Sequence, residues 1–109
     1  MSDAAGHDVG DTFEALADGN RRAILNLLGS QQLSVQQIAD EMPISRPAVS
    51  RHLRVLSTAG LVVEHREGTR HLFSLHEAGL SAIREYLDRV WGESAARFTL
   101  YAENTPDTR

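Results

Sequence analysis

The stretch that decides the fold is SRPAVSRHLRVL, residues 45–56. Within it Val49, Leu53 and Leu56 recur at spacings of four and three, so a helix formed here turns one apolar face toward a core. The opposite face is then predicted to expose polar and basic side chains, namely Ser45, Arg46, Ser50, Arg51 and Arg54.

Local signals set the ends of this helix and place another helix before it. Ser45 is a favoured N-cap residue, Pro47 is tolerated in a first turn, and Gly60 supplies a stop. The letters SVQQ at residues 34–37 match a capping box, which predicts the start of a short helix. Two helices joined by the turn at residues 43–45 form a helix-turn-helix.

Two helices are predicted ahead of this pair. The spacing of apolar residues favours a helix over residues 11–17, and Asp18 then caps a second helix with its body at residues 21–28. Arg21 and Arg22 begin that second helix, where the helix dipole disfavours a cation. A carboxylate partner and a DNA phosphate remain equally good explanations for them.

A hairpin and a long helix are predicted after the pair. Residues 61–66 and 70–75 are β-rich runs separated by three residues that include a glycine, which is typical of a hairpin. Apolar residues then recur three and four apart from residue 77 to 103, interrupted only at Gly92. The predicted fold class is mainly α with a small β-hairpin.

Composition and charge narrow the function further. The chain has 109 residues, enough for about one domain, and no cysteine, which excludes disulfides and zinc-thiolate sites. The formal net charge is -4, so the chain is not a general polycation. Residues 1–20 carry five carboxylates and no base, whereas residues 46–71 carry five arginines against two glutamates. Positive charge is confined to that one segment.

Several classes of protein are not expected. No apolar run approaches the roughly 18 residues of a membrane span, and the first residues lack a signal-peptide pattern, so we expect a cytoplasmic protein with no membrane partner. The serines have no evident base and no glycine-rich loop could cradle a phosphate, so we expect no enzyme, catalytic residue or cofactor. Residues 11–103 are expected to form one domain, between a flexible acidic N-terminus at residues 1–10 and a flexible tail at residues 104–109.

A basic helix of this kind fits the major groove of double-stranded DNA. Side chains of its first turn reach base edges, later arginines reach the backbone or further bases, and arginines at a hairpin tip can touch phosphates or enter the minor groove. The predicted DNA-binding residues are Ser45, Arg46, Pro47, Ala48, Ser50, Arg51 and Arg54 in the helix, with Arg66 and Arg70 in the hairpin.

Three stretches resemble a known family: LADGNRRAIL at residues 16–25, SRPAVSRHLRVL at 45–56 and AGLV at 59–62 look like the winged-helix repressors of the ArsR/SmtB family. The resemblance spans residues 11–103. It implies a winged helix-turn-helix whose wing is the hairpin, and a homodimer paired through the first and last helices. It also implies repression by binding an imperfect palindrome near a promoter.

The sensory sites of that family are not matched here. Metal-sensing members have a Cys-x-Cys pair where this sequence has Ser34 and Gln36, and neither is a soft metal ligand. Other members use histidines of the last helix, and residues 77–103 contain none. The sequence therefore looks like the cysteine-free branch, whose members often repress their own promoters without a known metal inducer.

The last helix carries more apolar surface than a 109-residue body can cover, and dimerisation is its natural outlet. The resemblance adds the first helix to the interface. The predicted dimerisation residues are Phe13, Leu16, Leu87, Trp91, Phe98 and Tyr101.

Two alternative functions stay open: a winged-helix module that binds another protein, and a repressor gated by a ligand or a metal without thiols. The second depends on His7, His65, His71 and His76, of which His65 and His71 could face each other across the hairpin. No recognised ligand spacing emerges, so no metal site is expected. His52 lies beside core residues and is expected to be a hydrogen-bonded structural residue.

Overall fold

The computed structural model describes residues 8–104, without the side chains of residues 95, 96 and 98–104. The termini predicted to be flexible therefore lie largely outside the described residues. Along the chain the elements are α1 (Val9–Leu16), α2 (Gly19–Leu27), α3 (Val35–Asp40), α4 (Arg46–Thr58), β1 (Val62–Glu67), β2 (Arg70–Leu75) and α5 (Glu77–Asn104). The predicted class is confirmed: the fold is mostly helical with an antiparallel hairpin.

Aspartate caps begin the first two helices. α1 starts at Val9, two residues before the predicted start, because the Asp8 carboxylate accepts a backbone N–H of the first turn at 3.2 Å. Asp18 caps α2 as predicted and accepts the N–H groups of Asn20 at 2.8 Å and Arg21 at 3.1 Å. The hydrogen bond from the Arg21 N–H lowers the pKa of Asp18 from its ordinary 3.8, against the opposing effect of desolvation.

Serine caps define the helix-turn-helix. The Ser34 hydroxyl accepts the Gln37 N–H at 3.2 Å while the Gln37 side-chain oxygen accepts the Ser34 N–H at 2.9 Å, so the predicted capping box is confirmed. The Ser45 hydroxyl accepts the Ala48 N–H at 3.2 Å and starts α4 as predicted. Both helix starts are set by residues within one turn of them.

The hairpin is tied to the helices by a contact that the sequence analysis does not predict. Gly68 lies at its tip with φ +66°, a left-handed conformation that favours glycine. At the other end Leu33 forms an isolated bridge to Phe73, with backbone hydrogen bonds of 3.0 and 2.8 Å. This bridge fixes the hairpin against the start of α3.

One apolar cluster joins the first four helices to the hairpin. Thr12 of α1 is fully buried, and its hydroxyl donates to the main-chain oxygen of Ala59 at the end of α4, at 3.4 Å. The cluster therefore packs against one face of α4 and leaves the opposite face exposed to solvent. Its largest fully buried members are Ile24, Leu28, Ile38, Val49, Leu53 and Leu56.

The last helix runs without a break through Gly92, where the sequence interrupts the apolar spacing. A single glycine costs a helix some backbone entropy without breaking it. The first turn of α5 is anchored where the Gly79 N–H donates to the Gly60 oxygen at 2.7 Å. An added Cβ at Gly79 would lie 2.7 Å from the Leu61 side chain, so only glycine permits this close approach. From this anchor α5 packs along α1.

Candidate nucleic-acid interface

As predicted, α4 has one buried face and one exposed face. Val49, Leu53 and Leu56 are at most 1% exposed, which fixes the rotation of the helix about its axis. The side chains that this rotation turns to solvent include most of the predicted DNA-binding set, namely Ser45, Arg46, Pro47, Arg51 and Arg54.

Two members of that set lie on the flanks of α4. Ala48 is half-buried, and so is Ser50, which was predicted on the exposed face. Ser50 lines a groove of about 240 Å³ between α4 and the hairpin, together with Arg54 and Glu64. The hairpin folds back beside α4 and covers this flank, and helical spacing in the sequence does not reveal that neighbour.

A carboxylate that sequence reasoning overlooked lies in the same groove. Glu64 is close enough to accept a hydrogen bond from His71, with 2.5 Å between Oε2 and Nδ1. Both side chains remain about half exposed, at 45% and 47%. Glu64 therefore places a carboxylate beside Arg54 in this groove.

Arg46 has a partner on the preceding helix. Its Nη1 atom donates to Oε1 of Gln36 at 3.2 Å, and Nε2 of Gln36 donates to Oδ1 of Asp40 at 2.8 Å. The three side chains form a hydrogen-bonded row from the end of α3 to the first residue of α4. Sequence reasoning considered Gln36 only as a position where metal-sensing members have a cysteine, and did not connect it with Arg46.

The two hairpin arginines are exposed and point to opposite faces of the hairpin. Arg66 is paired with His71 across the strands, and Arg70 is paired with Glu67. Because neighbouring residues of a strand alternate between faces, Arg66 and Arg70 project from different sides of the tip. Arg66 shares the face of Glu64, which is turned toward α4.

The same alternation excludes the histidine pair that the sequence left possible. His65 is opposite Leu72 while His71 is opposite Arg66, so the two rings lie on different faces and do not face each other. His65 instead contacts the Gln32 side chain at 3.0 Å. Within residues 8–104, as far as side chains are described, no group of three or more His, Asp or Glu residues could hold a metal ion.

Both arginines at the start of α2 donate to main-chain oxygens at the end of α1, and a contact with DNA phosphate stays a prediction for the exposed Arg22. Arg21 donates from Nε to the Ala15 oxygen at 2.7 Å, and Arg22 donates to the Leu16 oxygen at 2.8 Å. Both close the C-terminal end of α1, whose carbonyl groups attract cations. Arg21 also lies 3.5 Å from Nδ1 of His52, so the structural role expected of His52 is confirmed.

A second exposed surface lies along α1 and α5. Phe13, Leu87, Val90 and Trp91 are 39%, 42%, 51% and 51% exposed. Tyr86 links them: its ring centroid lies 5.5 Å from that of Phe13 and 6.4 Å from that of Trp91, both edge to face.

Not all of the predicted dimerisation residues lie on this surface. Leu16, the last residue of α1, is partly buried and packs against the core. The side chains of Phe98 and Tyr101 lie outside the described residues. Tyr86 was missed by sequence reasoning, although its spacing of three from Ile83 and four from Val90 is a helical signal.

Among the described residues, no helix combines the length and the apolar character that crossing a membrane requires.

Comparison with known proteins agrees with this architecture. The model of the family described as "Bacterial regulatory protein, arsR family" matches residues 18–63, which run from the α2 cap into β1. The HTH-type transcriptional regulator Rv2034 of Mycobacterium tuberculosis is 43% identical over 95 residues, which are 87% of this chain and 89% of that protein. The transcriptional repressor SdpR of Bacillus subtilis is 35% identical over 62% of this chain and 76% of its own length.

A solved structure gives the same result for the fold. The solution structure of Mb0332 from Mycobacterium bovis, described as a homodimeric winged helix-turn-helix DNA-binding domain, has a TM-score of 0.61 and 29% identity. The alignment covers 91% of this chain and 87% of that one. The fold is therefore a winged helix-turn-helix with the β1–β2 hairpin as its wing, and the chain belongs to the arsR family of bacterial transcriptional regulators.

Proposed function

We propose that this regulator is a dimeric repressor that binds a palindromic operator in double-stranded DNA through α4 and the wing. The observation that carries the proposal is the division of α4: its apolar residues are buried and its arginines are turned outward on an otherwise acidic chain. A net charge of -4 gives little general attraction to DNA, so affinity rests on these few local cations.

Each arginine has a role that follows from its position. Arg46 lies in the first turn of α4, where a side chain reaches base edges in the major groove, and guanine is the base that arginine reads with two hydrogen bonds. Arg51 and Arg54 lie further along the helix and contact the flanking backbone. Arg66 and Arg70, on opposite faces of the wing tip, contact phosphates on either side of it.

The proposed dimer forms through the exposed apolar side chains of α1 and α5. Large apolar side chains exposed side by side at 39–51% mark an interaction surface, and a second copy of the chain is its simplest complement. The description of the Mb0332 domain as homodimeric supports a dimer of this chain. Two copies related by a twofold axis place their α4 helices in successive major grooves about 34 Å apart, which requires a palindromic site.

Repression follows from where such a dimer binds. A protein that covers a promoter blocks access of RNA polymerase to it, and the related SdpR is described as a transcriptional repressor. We propose the chain's own promoter as the first operator to test.

Selection of duplexes from a random library, followed by gel-shift titration, tests the proposal. The wild-type protein is expected to select one palindrome and to bind it at least about a thousandfold more tightly than random duplex. Arg46→Ala is expected to lose base preference, and Arg84→Ala, which changes an exposed arginine of α5, is expected to retain it. Footprinting on the DNA upstream of its own gene then locates the site. Equal affinity of the wild type for selected and random duplexes would overturn the proposal.

A further inference from the structure

We infer that Gln36 of α3 is a positioning residue that orients Arg46 for base readout, and that Asp40 in turn orients Gln36. The inference rests on the proposed function, because it assigns a supporting partner to the arginine that is proposed to read a base. It starts from the row of hydrogen bonds from Asp40 through Gln36 to Arg46.

The chemistry of the three groups allows only one arrangement of the row. The Asp40 carboxylate can only accept, so the amide nitrogen of Gln36 must face it, at 2.8 Å. The amide oxygen of Gln36 is thereby turned toward α4, where the Arg46 guanidinium can only donate. An amide without Asp40 could rotate and present its N–H₂ group to the cation, which would repel it.

Arg46 needs such a partner because its position in the helix does little to fix the orientation of its side chain. It is the first residue of α4, where the helix dipole disfavours a cation, and its side chain is exposed and long. A free arginine side chain loses rotamer entropy when a base fixes it. Holding it in place before DNA arrives removes part of that cost.

The geometry also leaves the reading edge of Arg46 open. Gln36 takes a hydrogen bond from Nη1 at 3.2 Å, and the guanidinium carries five donors in a planar fork. The edge formed by Nε and Nη2 remains available for the two acceptors of guanine in the major groove. Gln36 thus orients the fork without competing for the base.

Base preference measured on the selected operator tests this role. Gln36→Ala is expected to lower the ratio of operator to random-duplex affinity by about 2- to 12-fold, the range of one net hydrogen bond. The loss is expected at the operator positions where Arg46→Ala loses preference, with affinity for random duplex unchanged. Asp40→Ala is expected to cause a smaller loss at those positions. Gln31→Ala changes an exposed amide that donates to the Leu27 oxygen away from α4, and serves as the matched control.

A double-mutant cycle separates positioning from a general structural effect. If Gln36 acts through Arg46, then Gln36→Ala has no further effect on operator affinity in the Arg46→Ala background. Additive losses, or full preference retained by Gln36→Ala while Arg46→Ala loses it, would overturn the inference and leave the proposed function standing. A wild-type protein with no base preference would instead remove the proposed function, and this inference with it.

Discussion

The Nε atom of Arg21 donates a hydrogen bond of 2.7 Å to the main-chain oxygen of Ala15, across the turn that joins α1 to α2. The same guanidinium donates to the Glu14 oxygen at 3.2 Å and lies 3.5 Å from the His52 ring of α4. One side chain therefore connects the helix of the proposed dimer surface with the helix proposed to enter DNA.

Arg21→Ala is expected to destabilise the protein. The substitution removes the partly buried charge-assisted hydrogen bond to the Ala15 oxygen, worth about 1.5–3 kcal/mol, and the exposed one to the Glu14 oxygen. Urea unfolding at fixed protein concentration measures the loss of unfolding free energy. Arg22→Ala is the matched control: the one bond that Arg22 donates, to the Leu16 oxygen, is exposed, so water replaces it and the loss is expected to stay within about 0.5 kcal/mol. Equal losses for the two variants would contradict the special role of Arg21.

The cap of α2 is expected to make stability depend on pH. The Asp18 pKa is lowered in the folded protein, mainly by the hydrogen bond from the Arg21 N–H, so its carboxylate favours folding above its ordinary pKa of 3.8. That contribution is lost as the pH falls through 3.8 and then through the lower folded value. Asp18→Asn keeps a good cap without a titratable group.

Unfolding of the wild type and Asp18→Asn at a series of pH values measures this effect. The wild type is expected to be the more stable of the two at pH 7 and to lose that advantage as the pH falls below 3.8. A difference between the two proteins that does not change with pH would contradict the assignment.

The wing arginines are expected to act without regard to sequence. In the proposed dimer each substitution removes two phosphate contacts, one per subunit, so Arg66→Ala and Arg70→Ala should each reduce the slope of log affinity against log salt concentration by about 1.8. The two side chains project from opposite faces of the hairpin and make separate contacts. The slope for the double variant should therefore fall by about twice as much as for either single variant. Titrations on operator and on random duplex at several salt concentrations measure the slopes. A loss confined to the operator would assign base readout to the wing instead.

The α5 surface is expected to hold the dimer together. Leu87→Glu places a carboxylate among exposed apolar side chains and should weaken dimerisation by about a hundredfold or more, since burying an unpaired charge costs several kcal/mol. Sedimentation equilibrium measures the dissociation constant, and operator affinity should fall with it. Glu85→Ala, an exposed residue two positions away, is the control. An unchanged dimer in Leu87→Glu would place the interface elsewhere.

Features that depend on near neighbours in the chain could be predicted from the sequence. The caps at Asp18, Ser34 and Ser45 and the hairpin turn at Gly68 each depend on contacts within a few residues. The buried face of α4 follows from the spacing of its apolar residues, and this spacing alone places most of its arginines on the outside.

Features that depend on which elements become neighbours were decided only by the tertiary structure. Examples are the bridge from Leu33 to Phe73, the arginines that close α1, the hydrogen bond from Arg46 to Gln36 and the half-burial of Ser50. The partners in these contacts lie 6 to 40 residues apart, so no local spacing reveals them. Their geometry is set when the packed core fixes the helices and the hairpin against one another, because only then do distant polar groups come within hydrogen-bond distance.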